Sequence, residues 1–198
     1  MADPAIFLAA GEQSGYLHGA ALARELWSLI PGVRLYGLGG SRMGGEGVEL
    51  LADLDRLAIL GFAEVVRHLP DLAGLRREVR QFLLAQKIDL LVPIDYPGFN
   101  LPRARYAKRN GISVLYYIAP QVWAWHESRA RKLAEDTDLV CVVLPFEEDR
   151  LAGWGVRTRF VGHPLLDRDA SGTSAAPGPH AEPRIGIFPG SRMQEVRR

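Results

Sequence analysis

Of the 198 residues, one is a cysteine, Cys141. A single thiol closes no internal disulfide and builds no thiolate cage, so a reducing compartment is expected. Cys141 lies in the apolar run 139–144 and reads as a small buried hydrophobe. Lysine is almost missing: three of the 24 basic residues are lysine and the rest arginine. A GC-rich genome explains that bias as well as any arginine chemistry does. The formal net charge is only +1. No global field therefore points to nucleic acid or to an acidic partner. No run approaches the roughly 20 apolar residues of a membrane span. The first apolar run, 6–10, has no basic residue before it, unlike a secretory signal. A cytoplasmic setting follows as the expectation, with any membrane contact peripheral.

Hydrophobic residues make up 47% and charged residues 24% of the chain, the balance of a soluble globular protein. Short β-rich runs at 6–10, 33–38, 88–94, 112–118, 139–144 and 158–161 predict strands. They are almost continuously apolar, as strands buried on both faces of a parallel sheet are. Helical patterns at 16–29, 62–69, 71–86, 101–110, 124–134 and 146–154 alternate with them. That alternation predicts an α/β fold with a doubly wound, Rossmann-like parallel sheet and right-handed crossovers. Residues 167–183 are rich in Ala, Ser, Gly and Pro without apolar periodicity and read as a linker. A further strand is predicted at 184–188, followed by a Gly turn and a helix start. The expected organisation is a domain over 1–166, a linker over 167–183 and the start of a second domain over 184–198. Fifteen residues cannot close an α/β core.

In doubly wound sheets ligands bind beyond the carboxyl ends of the strands, which selects the loops that matter. Gly11-Glu12-Gln13-Ser14-Gly15 follows the first strand and opens a helix, where free backbone N–H groups face a ligand. It has neither the Gly-Lys-Ser/Thr ending of a P-loop nor the G-x-G-x-x-G fingerprint. The next loop, Gly37 to Arg42, also fails that fingerprint, because Arg42 stands at the third glycine. Both loops read equally well as plain βα turns. Asp95 closes an apolar strand in the run Ile94-Asp95-Tyr96-Pro97-Gly98-Phe99-Asn100. A partly desolvated carboxylate there suits a general base, while the bland alternative is a cap for the helix near Leu101. Trp123 and Trp125 could wall a sugar or acyl pocket or simply pack the loop on the core. His163, after the last strand before the linker, could titrate near neutrality or bond at a hinge. The Asp-x-Asp pairs at 53/55, 136/138 and 167/169 have no supporting context.

The segment 59–86 differs in kind. Ile59, Phe62, Ala63, Val66 and Leu69 share a helical stripe, widened by Val65 and Leu72, with Arg67, His68, Arg76, Arg77 and Arg80 nearby. An amphipathic helix beside cations lies well on an anionic membrane surface. A helix packed on a sheet shows the same pattern.

Taken in order, eight segments resemble the lipid-A-disaccharide synthase family. They are Gly11-Glu12-x-Ser14-Gly15; Gly39-Gly40-x-Arg42-Met43 with Glu46-Gly47; Gly61-Phe62-x-Glu64-Val65 with His68-Leu69; and Ile94-Asp95-x-Pro97-x-Phe99-Asn100. Pro120-x-Val122-Trp123-Ala124-Trp125, Leu144-Pro145-Phe146-Glu147, Phe160-x-Gly162-His163-Pro164 and Pro189-Gly190-Ser191-Arg192-x-x-Glu195-Val196 complete the set. The resemblance implies a metal-free, cofactor-free GT-B glycosyltransferase of two Rossmann-like domains, of which this chain holds the first and a truncated second. Such an enzyme joins UDP-diacylglucosamine to diacylglucosamine 1-phosphate, giving the β(1→6) lipid A disaccharide 1-phosphate and UDP.

Carried onto this sequence, the resemblance makes Asp95 the base on the acceptor 6-hydroxyl and Arg192 the cation at the departing UDP, with Gly190 and Ser191 shaping its loop. Gly11, Glu12, Ser14, Gly15, Asn100, Trp123, Trp125 and His163 become expected substrate contacts. Phe62, Val65, Val66, Leu69 and Leu72 become the expected contact with the cytoplasmic face of the inner membrane. Nucleic acid is not an expected partner, and a homodimer is compatible with the family. The chain departs from the family pattern at Tyr16 and Gly98, where an aspartate is usual or frequent. With the donor half incomplete, the chain alone is expected to form no disaccharide. The competing expectations are another UDP-sugar GT-B transferase, such as a peptidoglycan N-acetylglucosaminyltransferase, which Trp123-Ala124-Trp125 disfavours, and a non-catalytic lipid-binding remnant.

Overall fold

A computed structural model describes residues 3–54, 69–121 and 127–169, with side chains described for all but 69–73, 127–129 and 168–169. The chain divides into two units, Met1–Pro164 and Leu165–Arg198. Only 165–169 of the second are described, so the architecture below is that of the first.

Seven parallel strands form one sheet: β1 (Ala5–Ala10), β2 (Arg34–Gly39), β3 (Glu49–Asp53), β4 (Leu90–Ile94), β5 (Ser113–Tyr117), β6 (Leu139–Val142) and β7 (Thr158–Phe160), in the order β3-β2-β1-β4-β5-β6-β7. The helices are α1 (Gln13–Leu29), α2 (Ser41–Gly45), α3 (Leu69–Ala85), α4 (Pro97–Arg109), α5 (Glu127–Asp136), α6 (Pro145–Ala152) and α7 (Pro164–Asp169). Among the described residues no helix is long and apolar enough to cross a membrane.

Every residue of β1 is buried, which is why its sequence is apolar without alternation. Its two faces meet different helices. Phe7 packs edge-on against Phe82 of α3, which also meets Tyr36 of β2. Ala10 faces Gly15 of α1, where a Cβ on the glycine would stand 3.2 Å from the Ala10 Cβ. Residues 7 and 10 differ in parity along a strand, so α1 and α3 cover opposite faces. The sheet is doubly wound, as the strand–helix alternation predicts.

Three features depart from the sequence expectation. Strand β3 is an edge strand bounded by Glu49 and Asp53 and only half-buried, so it lacks the continuous apolar run of its neighbours. Helix α2 is five residues long, too short for periodicity to show. Helix α4 begins at Pro97 rather than near Leu101. Pro97 occupies the first turn, where proline's missing N–H costs nothing. Pro102 then lies inside the helix and removes the N–H that would bond the Gly98 carbonyl.

The amino edge of the sheet is tied by acids. Asp89 Oδ2 accepts the Ala5 N–H at 2.8 Å, and Asp138 Oδ2 accepts the Val114 N–H at 2.9 Å. Asp138 also pairs with Lys108, and Asp136 with Arg105 at 3.2 Å. The Asp-x-Asp pair at 136/138 thus has a structural use.

At Gly37 the strands β1 and β2 approach so closely that a Cβ would stand 2.7 Å from the Leu8 carbonyl oxygen. At Gly45 nothing lies within 4 Å. Gly37→Val is therefore expected to destabilise the protein by about 1–3 kcal/mol. Gly45→Ala should be neutral or stabilising by up to about 1 kcal/mol, because alanine is the better helix former. Urea unfolding of both variants tests the pair; equal stability would mean that the β1–β2 spacing is not fixed by Gly37.

Candidate active site at the strand-order reversal

The strand order reverses between β1 and β4, whose chain continuations leave the sheet in different directions. This is the topological switch point at which open α/β sheets bind ligands. The loop after β1 contains Gly11 and Glu12; the loop after β4 contains Asp95 and Tyr96.

Asp95 and Tyr96 both hold left-handed backbone, with φ of 45° and 44°. Each such residue costs of order 1–3 kcal/mol, less for aspartate than for tyrosine. Ile118, just past β5, has φ of 64°, and a β-branched side chain tolerates that region poorly. Non-glycine strain thus recurs at the carboxyl ends of adjacent central strands.

The Asp95 turn is held from below. Asn100 has no exposed surface. Its Nδ2 donates to the carbonyls of Ala9, Ile94 and Asp95, at 3.1, 3.0 and 2.7 Å. The Tyr116 hydroxyl donates to the Asp95 carbonyl at 2.8 Å, and the Asp95 N–H donates to the Tyr117 carbonyl at 3.1 Å. One buried amide therefore joins the ends of β1 and β4 and fixes the strained peptide between them. Asn100 serves the site through the loop it holds.

The Asp95 carboxyl is half-buried. Desolvation raises its pKa above the ordinary aspartate value, the Tyr96 backbone N–H partly offsets this, and the nearby charge of Glu12 raises it further. A carboxyl shifted this way binds a proton more readily near working pH, as a general base requires. It does not cap α4: the cap position is Tyr96, and no side chain caps that helix. Tyr116, its hydroxyl buried against Asp95, is pushed well above the usual tyrosine range by burial and then by the Asp95 charge. It stays a neutral donor.

The β1 loop closes on this turn. A Cβ on Gly11 would stand 2.4 Å from Tyr96 Cδ1 and 3.0 Å from the Phe99 ring. Tyr96 and Phe99 stack with centroids 6.0 Å apart, and Tyr96 remains 43% exposed. Ser14 Oγ donates to Glu12 Oε1 at 2.9 Å. Glu12 is the extended cap residue of α1 and its side chain does not bond the helix's own N–H groups. The first turn of α1 therefore points its backbone donors beyond the carboxyl edge.

The structure thus brings Gly11, Glu12, Ser14 and Asp95 to one edge of the sheet, with Asn100 buried beneath them and Gly15 packed against Ala10. His163 follows β7 at the sheet edge, three strands from β4, or roughly 14 Å at ordinary strand spacing. Trp123, Trp125, Gly190, Ser191 and Arg192 lie outside the described residues, as do Phe62, Val65 and Val66. Leu69 and Leu72 lie in α3, but their side chains are among those not described. Of the two departures from the family pattern, Tyr16 is buried in the first turn of α1. Gly98 faces open space, with nothing within 4 Å of a Cβ built there.

Tyr116 and Arg103 escaped the sequence reading, and Tyr96 and Phe99 were read there only as members of the Asp95 run. Arg103 is buried, its guanidinium 3.5 Å from the Phe99 ring centroid and bonded to the Phe99 carbonyl. The spacing of Phe99 and Arg103 at i and i+4 was the available signal. It becomes visible only once α4 is known to start at Pro97.

Because the folded pKa of Asp95 is raised, the folded state holds its proton more tightly than the unfolded chain does. Stability should fall as pH rises from the unfolded value near 3.8 through the raised folded value, and stay lower above it. Asp95→Asn, isosteric and at ease in left-handed backbone, is expected to be more stable than the parent at pH 7. The gain should shrink as pH falls below about 4. Thermal melts of both proteins across pH 3–8 decide the matter; a pH-independent difference would show that the carboxyl is not desolvated.

Residues 6–198 match the lipid-A-disaccharide synthetase family. The chain is 42% identical over 202 residues to the lipid-A-disaccharide synthase of Nitrosococcus oceani, covering 98% of this chain and 52% of that protein. To the lipid-A-disaccharide synthase of Geobacter sulfurreducens it is 42% identical over 200 residues, covering 96% of this chain and 51% of that one. The chain thus spans about half the length of the curated relatives it matches. Among solved structures, Glycyrrhiza uralensis UGT73P12, complexed with glycyrrhetinic acid 3-O-monoglucuronide, superposes with a TM-score of 0.55 at 12% identity, over 86% of this chain and 51% of that one. At that identity the likeness carries the fold alone, that of a GT-B glycosyltransferase. The sequence match takes in the whole switch-point crevice, from β1 through the Asp95 turn to the edge strand, and on that ground the chain belongs to the lipid-A-disaccharide synthetase family.

Proposed function

We propose that this chain provides the acceptor side of a glycosyltransferase that condenses UDP-diacylglucosamine with diacylglucosamine 1-phosphate. The observation that carries this reading is Asp95, a desolvated carboxyl in a strained turn at the switch point. In the proposed reaction the acceptor 6-hydroxyl attacks the anomeric carbon of the donor. The new C–O bond forms as the bond from that carbon to UDP breaks, the hydroxyl proton passes to Asp95, and UDP leaves as an anion. Inversion needs a base on one side and positive charge on the other. Arg192, in a loop with Gly190 and Ser191, is the proposed cation, since an arginine fork beside a Gly-Ser turn suits a pyrophosphate. The α1 N-terminus and Glu12 are proposed to orient the acceptor sugar, with Trp123, Trp125 and His163 as further contacts. A start of the donor domain at residues 184–198 belongs to the same proposal.

The substrates carry acyl chains, so the protein is proposed to work on the cytoplasmic face of the inner membrane. Supporting this are the apolar stripe of Phe62, Val65, Val66, Leu69 and Leu72 in the sequence and the exposed Arg77 that follows on α3.

Two measurements test these proposals. A chimera joining this chain to the remaining half of the Nitrosococcus oceani relative should form disaccharide from both substrates, read by mass spectrometry. Asp95→Ala should lower its turnover by roughly two orders of magnitude or more, whereas near-normal turnover would remove Asp95 from the mechanism. Separately, serine at Val65, Val66, Leu69 and Leu72 should weaken binding to anionic vesicles with little change in melting temperature. A collapse in thermal stability would instead assign the stripe to the core.

A further inference from the structure

Arginines on α3 and α4 form a cluster that the reaction above leaves unused. Arg103 retains only 8% of its surface exposed, although arginine is rarely buried without a partner. Its guanidinium lies on the Phe99 ring and spends one N–H on the Phe99 carbonyl, while Nε–H has no acceptor. No carboxylate among the described residues pairs with it. Burial first, and then the like charges of Arg76 and Arg80, pull its pKa down to about 10.

Arg76 and Arg80 are exposed and stand at i and i+4 on α3, a spacing at which like charges destabilise a helix. Arg80 lies 4.9 Å from the centroid of the Tyr106 ring on α4, so the two helices meet along this cationic seam. Glu78, the acid between them in sequence, is about 200° around the helix from either and so on the opposite side. Three arginines facing one another, one of them buried with a free donor, are unfavourable in the empty protein and suited to a doubly charged oxyanion.

The position of the cluster narrows the anion. Helical side chains lean toward the N-terminus, so Arg103 sits at the level of Phe99, in the first turn of α4. Phe99 stacks on Tyr96, which adjoins Asp95. The guanidinium therefore lies on the same side of the sheet edge as the proposed base, within roughly two helical turns, about 11 Å. In an acylated glucosamine 1-phosphate the phosphate on C1 and the 6-hydroxyl arm on C5 flank the same ring oxygen, so one sugar presents an anion and a hydroxyl side by side. We infer that Arg76, Arg80 and Arg103 form a site for the phosphomonoester of a sugar 1-phosphate acceptor, holding the phosphate while the neighbouring 6-hydroxyl meets Asp95. This rests on the acceptor-side reading proposed above.

The 198-residue chain, labelled with nitrogen-15, would be titrated with glucosamine 1-phosphate, inorganic phosphate and neutral glucosamine, and separately with phosphatidylglycerol vesicles. Glucosamine 1-phosphate should shift the Arg103 Nε–H resonance saturably and bind several-fold more tightly than inorganic phosphate. Arg76→Gln with Arg80→Gln, both on the surface, should weaken it at least tenfold. Arg103→Met should do the same; if that variant misfolds, the surface pair still decides. In the chimera the surface pair should raise KM for the acylated acceptor at least tenfold with kcat within about threefold.

Unchanged sugar-phosphate affinity in the surface pair would overturn the assignment. So would inorganic phosphate binding as tightly as the sugar phosphate, or loss of vesicle binding alone, which would give the arginines to lipid headgroups. Asp95→Ala should leave glucosamine 1-phosphate binding intact. Lost turnover with kept binding in that variant upholds both statements. Kept turnover in Asp95→Ala would sink the base and leave the phosphate site standing.

Discussion

Between β1 and β4 a single buried amide meets three carbonyls. Asn100 Nδ2 reaches Ala9, Ile94 and Asp95: the penultimate residue of β1, the last residue of β4 and the first residue past it. Without that donor the ends of β1 and β4 would lose their shared side-chain link, and the left-handed backbone at Asp95 and Tyr96 would lose a restraint. Tyr116 adds a second donor to the same peptide from β5. The crevice therefore depends on a hydrogen-bond centre that touches no ligand, and the aromatic layer of Tyr96 and Phe99 against Gly11 rests on the geometry it sets.

The two edges of the sheet use acids differently. At the amino edge Asp89 and Asp138 accept backbone N–H groups of neighbouring strands, and Lys108 lowers the pKa of Asp138. Their charges are satisfied and they stabilise. At the carboxyl edge Asp95 is desolvated and stands near Glu12, so its charge is disfavoured. A carboxyl that weakens the fold while charged is of the kind that stability alone would remove, and the kind a proton transfer needs.

The arginines of α3 and α4 show the same imbalance with the opposite sign. Arg103 is buried on Phe99 beside Arg76 and Arg80, a few residues from a desolvated acid. An acid and a cationic seam, each poorly compensated, flank one aromatic layer. Opposite polarities on either side of one aromatic layer suit a ligand that carries a hydroxyl and an anion side by side.

By itself the sequence determined the class of fold and the family. Buried parallel strands must be apolar along their length, so the runs at β1, β4, β5 and β6 were readable, and an acid at the end of such a run marked Asp95. The eight ordered segments likewise carried the family. Edge strand β3 and the five-residue α2 were not readable, because half-burial and one turn of helix leave no periodicity. Nor was the start of α4, where Pro102 imitates a first-turn proline. Tertiary structure alone decided what Asn100, Tyr116 and Arg103 do. Asn100 bonds carbonyls of two strands, one of them some ninety residues away in the chain, Tyr116 reaches across from the neighbouring strand, and Arg103 is unusual only because α3 brings two more arginines to it. Those are facts of strand order and helix packing, and residues distant in sequence carry no local sign of them.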